Sequence, residues 1–117
     1  MDLNTAIQKH AEWKFKFRNA LLARAAMDAN AISKDNNCEM GKWLHGDAAA
    51  LYGNLPAYAR CLANHAAFHV EAATVAKAVN ALNKEDVERK RATGSAFSAA
   101  SKKVGISIVE LNIAIRS

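Results

Sequence analysis

The sequence is expected to fold as an all-α protein: an antiparallel four-helix bundle with a short extra helix that carries a cysteine. Three observations lead there. Only one proline and five glycines interrupt 117 residues, and alanine supplies much of the 51% hydrophobic content. Apolar residues recur at spacings of three and four, the period of one helix face, and strand-type alternation is absent. The long periodic stretches are separated by short polar breaks, which favours antiparallel neighbours.

The first helix is expected from about Asn4 to Ala31, with Leu3, Ile7, His10, Trp13, Phe17 and Leu21 on one stripe. The polar run Ser33-Lys34-Asp35-Asn36-Asn37 ends it, and Asn36 or Asn37 would cap the next helix. That short helix covers Cys38 to His45 and stops at Gly46. Asp47 to Tyr52 adds a turn closed by Gly53. Pro56 suits a first helical turn, where no backbone donor is needed. From it a long helix is expected to about Leu82, with Tyr58, Leu62, His65, His69, Ala72, Ala76 and Val79 on one face. Asn83 breaks or caps, Lys84 to Ala92 form a charged helix, and Thr93-Gly94-Ser95 is a second break. The last helix runs from about Ser95 to Arg116 with the stripe Phe97, Ala100, Val104, Ile108, Leu111 and Ile115. A second stripe, Gly105, Ile106, Val109 and Ile113, makes its apolar surface wider than one bundle face requires.

The length suits one domain over 1–117 and can bury a core without disulfides. Two cysteines, Cys38 and Cys61, are too few for a disulfide framework. Met1-Asp2-Leu3-Asn4 has no apolar signal segment, and no stretch is long enough for membrane insertion. A cytoplasmic location is therefore the expectation. The net charge of +5 is spread along the chain, and its densest cluster, Arg89-Lys90-Arg91, follows Glu85, Asp86 and Glu88. That pattern reads as a solvated helix face, so no nucleic-acid partner is expected.

His10, His65 and His69 are the polar intrusions into otherwise apolar stripes. A buried polar group without a partner costs about 1–3 kcal/mol. His65 and His69, four apart, share a helix face and can grip one ion. Cys38, at a helix start, can supply a thiolate, and zinc prefers four tetrahedral nitrogen and sulfur ligands. On spacing alone, ordinary hydrogen-bonded bundle histidines account for the same pattern. His45 is expected to face solvent, since four ligands leave no vacancy. Cys61, one turn before His65, is either a core residue or a redox neighbour of the site. Trp13, Trp43 and Phe68 are read as core around the site, excluding water and fixing ligand rotamers.

Three segments decide between these readings. His10-Ala11-Glu12-Trp13, Cys38-Glu39-Met40-Gly41-Lys42-Trp43 and His65-Ala66-Ala67-Phe68-His69 occur in that order. They resemble the H-x-x-W, C-x-x-G-x-W and H-x-x-F/M-H motifs of the chemoreceptor zinc-binding (CZB) domain. The resemblance extends to the closing segment Gly94-Ser95-Ala96-Phe97-Ser98-Ala99-Ala100-Ser101. It implies a four-helix bundle with a short cysteine-bearing helix, zinc as cofactor, and His10, Cys38, His65 and His69 as its ligands.

The function so implied is bacterial zinc-dependent sensing that controls chemotaxis or cyclic-di-GMP signalling, with Cys38 as the redox-reactive ligand toward oxidants such as hypochlorous acid. Sensing of the zinc level itself and a structural dimerisation module are the alternatives. No enzymatic activity is expected: Cys38 would close the fourth zinc position, and only Glu12 and Glu39 offer nearby carboxylates. The expected partners are a second copy in a homodimer and a chemoreceptor or diguanylate cyclase output domain, in cis or in trans. The opening methionine fits a native start, which favours an N-terminal or free-standing domain.

Overall fold

A computed structural model describes all 117 residues. It contains eight helices and no strand: α1 Leu3–Ala11, α2 Trp13–Ala23, α3 Ala29–Ser33, α4 Glu39–His45, α5 Asp47–Tyr52, α6 Pro56–Asn80, α7 Lys84–Arg91 and α8 Ala96–Arg116. Most starts follow capping chemistry. Asp2 accepts from the Asn4 and Thr5 amides, Asp28 from Ala31, Asn83 from Asp86 and Ser95 from Ser98. Pro56 occupies the first turn of α6.

The expected helix Asn4–Ala31 is instead three pieces. Glu12 is a one-residue interruption that keeps helical angles between α1 and α2. Arg24 then adopts a left-handed conformation, φ 54°, and ends α2. The cause lies elsewhere in the chain. The Asn80 side-chain amide accepts from the Met27 backbone N–H and donates to its carbonyl, both at 2.7 Å, and so holds residue 27 out of helix. The long helix stops at Asn80 rather than Leu82, and Leu82 turns the chain with a positive φ of 55°. The cap of α4 is Cys38 itself, not Asn36 or Asn37: its sulfur accepts from the Gly41 amide at 3.3 Å.

α6 is the central element. α8 runs antiparallel along it: Arg60 pairs with Glu110 at 3.1 Å and Asn64 donates to Ser107 at 2.5 Å. α3 also runs antiparallel to it, through Ile32 against His69 and Met27 against Asn80. Phe17 of α2, Phe68 of α6 and Phe97 of α8 meet with ring centroids 5.4 and 5.6 Å apart. Around them Val75, Val79, Val87, Val104, Ile108 and Leu111 are buried. Truncating a core phenylalanine of this kind costs about 3–5 kcal/mol. The second α8 stripe is left outside: Ile106, Val109 and Ile113 are exposed.

Candidate metal centre

Helical geometry makes the first contact. His65 and His69 project from successive turns of α6, their rings 4.6 Å apart. α1 brings the His10 ring to 5.0 Å from His65 and 5.8 Å from His69. Cys38, at the head of α4, places its sulfur 3.2 Å from His65 Nε2 and 3.5 Å from His69 Nε2. The candidate ligand atoms of these four residues all lie within 4.8 Å of one another. Four donors at zinc bond lengths around a tetrahedron stand about 3.3–3.6 Å apart, so both sulfur–nitrogen separations fall at or near that spacing.

The ring orientations are set from outside the cluster. His10 Nδ1 donates to the Ala6 carbonyl at 2.7 Å, and His69 Nδ1 donates to the Ile32 carbonyl at 2.9 Å. With Nδ1 protonated, each Nε2 is a bare lone pair. His65 differs. Its Nε2 faces Cys38, but its Nδ1 is buried without a hydrogen-bond partner.

All four groups are neutral as ordinary titration goes. Burial pushes His65 down to about 3, reinforced by the charges His69 and His10 would carry. Burial also lowers His10 and His69. It raises the Cys38 thiol, against the opposing pull of backbone amides at Gly41 and Met40. Three imidazoles and a thiol therefore converge on one mostly buried point. That donor set fits a single zinc ion, which would bind the sulfur as thiolate.

A family model described as "Chemoreceptor zinc-binding domain" matches residues 10–76. The chain belongs to the CZB family. The match opens on His10 and spans every residue of the cluster, from α1 through most of α6. The closing segment Gly94–Ser101 lies outside it. No curated protein and no solved structure matches the chain. Zinc is the cofactor of this CZB domain, on the family's description and the chemistry of the cluster.

Of the three aromatic residues expected around the site, Phe68 has its ring against the cluster's imidazoles. Phe68 is buried and packs edge-on against His10 and His69, at 5.2 and 5.6 Å. Trp13 is half-buried on Phe17 at 5.5 Å, with the Lys16 ammonium over its ring. Trp43, also half-buried, lies against Tyr52 at 6.2 Å. Cys61 is fully buried in the apolar core, and burial pushes its thiol up to about 12. Glu39 is exposed and pairs with Lys9 at 3.4 Å, and Glu12 is exposed.

Two features of the CZB site are explained only by the structure. Gly41 is required because a Cβ there would stand 1.6 Å from the Asp35 carbonyl oxygen. Asp35 is the second. Its carboxylate accepts from His45 Nε2 at 2.8 Å and lies 3.9 Å from His65 Nδ1. Burial alone would raise this carboxyl, but the His45 hydrogen bond and charge outweigh it and lower it. His45 is exposed, as expected, yet occupied by this pairing. A lone aspartate in a polar break carries no local signal of either contact.

Proposed function

We propose that His10, Cys38, His65 and His69 are the four ligands of one zinc ion, and that Cys38 is the ligand through which this CZB domain senses. The observation that carries the reading is the convergence of one sulfur and three imidazoles, two of them with Nδ1 tied to a carbonyl. Zinc, when bound, supplies the Lewis acidity that holds the Cys38 sulfur as thiolate at neutral pH.

A cavity of ≈400 Å³ is lined in part by Lys9, His10, Trp13, Lys16 and Cys38, which supports access of a small oxidant to this cysteine. A thiolate there attacks hypochlorous acid: sulfur takes the oxygen, chloride leaves, and the product is the sulfenic acid. A sulfenic acid is a weaker donor, so Cys38 lets go and the short helix α4 is free to shift. The expected readout is control of a chemoreceptor or diguanylate cyclase output domain, and so of chemotaxis or cyclic-di-GMP signalling. Cys61 is a poor partner for a disulfide in this scheme, since it is buried in the core with its thiol held protonated.

Metal analysis of the purified protein followed by titration with hypochlorous acid tests the reading. One zinc per chain and its release by oxidant are expected, with Cys38→Ser binding zinc more weakly and giving no oxidant-dependent release. Zinc release by oxidant that persists in Cys38→Ser would end the redox reading. The burial of all three histidines also favours a second reading, sensing of zinc level, because an ion would join buried side chains from separate segments. Zinc-dependent ordering that is indifferent to oxidant distinguishes it.

Chain 1–117 is read as a single domain, its helices grouped as an antiparallel four-helix bundle with α4 as the extra cysteine helix. Regulation rather than catalysis and a cytoplasmic setting belong to the same reading. The exposed stripe Ile106, Val109 and Ile113 supports a homodimer. Light scattering should report a dimer that Val109→Glu dissociates.

A further inference from the structure

Each imidazole of the cluster needs an acceptor on its outer nitrogen if the inner one is to serve as a ligand. His10 has the Ala6 carbonyl and His69 has the Ile32 carbonyl. The His65 ring is 0% exposed, and its Nδ1 has no partner. A buried ring N–H without an acceptor is costly, and a ring without that bond has no reason to keep its proton on Nδ1 rather than Nε2. The group facing it is the Asp35 carboxylate, with Oδ2 at 3.9 Å.

We propose that Asp35 is the positioning residue for His65: its carboxylate accepts the Nδ1–H of the ring, fixes the tautomer that presents Nε2 to zinc, and is steadied from outside by His45. This inference rests on the zinc reading above. Three observations support it. The same oxygen, Oδ2, already accepts from His45 Nε2 at 2.8 Å, which orients the carboxylate between the two rings. The backbone of residue 35 lies pressed on the bare face of Gly41, so the loop cannot drift outward without losing that contact. Cys38 lies three residues on, its sulfur 3.9 Å from the Asp35 carbonyl, so one short loop serves both the sulfur and the ring. A gap of 3.9 Å closes to a hydrogen bond by a shift of about 1 Å, within reach of a side-chain rotation on a loop residue. The result is a line from a surface histidine through a carboxylate to a ligand, the arrangement that orients metal-binding imidazoles in general.

The test measures zinc affinity by competition with a chromogenic chelator, and the His65 tautomer by long-range proton–nitrogen NMR on the zinc-loaded chain. Asp35→Ala is expected to lower affinity about 10–100-fold, the usual loss for an orienting partner. Asp35→Asn, whose amide oxygen still accepts, should fall between wild type and alanine. It also serves if the alanine variant does not fold. His45→Ala should give a smaller loss of the same kind. The wild-type His65 should carry its proton on Nδ1. A purely structural Asp35 would lower the melting temperature and leave affinity and tautomer unchanged. Wild-type affinity in both Asp35 variants, or a His65 proton that does not sit on Nδ1, overturns the proposal while leaving the zinc site standing. Zinc binding that survives His65→Ala overturns the zinc reading together with this one.

Discussion

α6 and the stretch 34–45 bring donors to the same point by opposite means. α6 is a 25-residue helix whose buried face includes Phe68, Ala72, Val75 and Val79 on the same element as His65 and His69. The histidine pair is therefore held by the core itself. The cysteine stands between a short link and a seven-residue helix, held by the Cys38 cap, the Gly41 contact, an Asn37 bond to the Ala31 carbonyl and the buried Met40 and Leu44. The histidine pair thus sits inside a long, extensively buried helix, whereas the sulfur sits at the head of a short one with only Met40, Gly41 and Leu44 buried.

The largest test of that contrast is removal of the metal. Structural zinc contributes on the order of 10 kcal/mol in small domains. Strong chelator should lower the melting temperature by more than about 10 °C. Amide exchange should accelerate across 34–45 and much less across the α6 core. Equal acceleration in both would mean that the cysteine stretch is no looser than α6.

Phe68→Ala attacks α6. It should cost about 3–5 kcal/mol in urea unfolding, with or without metal, because the ring packs on Phe97 as well as on His10 and His69. Gly41→Ala attacks the cysteine stretch. The new Cβ would meet backbone atoms of Asp35 at 1.6 and 2.7 Å, so the loop must move and Cys38 with it. A cost of about 1–3 kcal/mol to the metal-free fold is expected. The thiolate-to-metal absorption of the cobalt-substituted protein should fall sharply, while Phe68→Ala spares it in the fraction that stays folded.

Acid sharpens the comparison at smaller scale. In the metal-free fold His65 is held near 3 by burial, below its ordinary 6.5, and His10 and His69 are lowered too. The unfolded chain therefore binds protons that the native chain refuses as pH falls below 6.5, and stability falls with it. His65 alone should contribute about 1.4 kcal/mol per pH unit between roughly 6.5 and 3, and nothing above that window. A metal-free stability that is flat from about pH 7 to about 4.5 would show that the imidazoles are not buried as described.

Much of this was legible in the residues. The stripe on α6, Pro56 at its start, the Asn83 cap and the break over Thr93-Gly94-Ser95 are local features, and they read correctly. The donors themselves stood out because imidazoles interrupted apolar stripes. The break after Ala23 did not, because no glycine or proline marks it. It depends on Asn80 gripping the backbone of Met27 across the fold. The thiol cap of α4 was missed for a different reason: asparagine is the stronger capping residue by propensity, and only the position of the sulfur over the Gly41 amide decides the matter.

The sequence by itself determined the helical class, the four candidate donors and the family of the chain, since periodicity and motif are properties of neighbours along the chain. Only the tertiary structure decided which nitrogen of each ring faces inward, why Gly41 must lack a side chain, and that Asp35 and His45 stand behind His65. Those are contacts through space between segments distant in the chain, and a hydrogen bond depends on where two atoms end up rather than on what surrounds each in sequence.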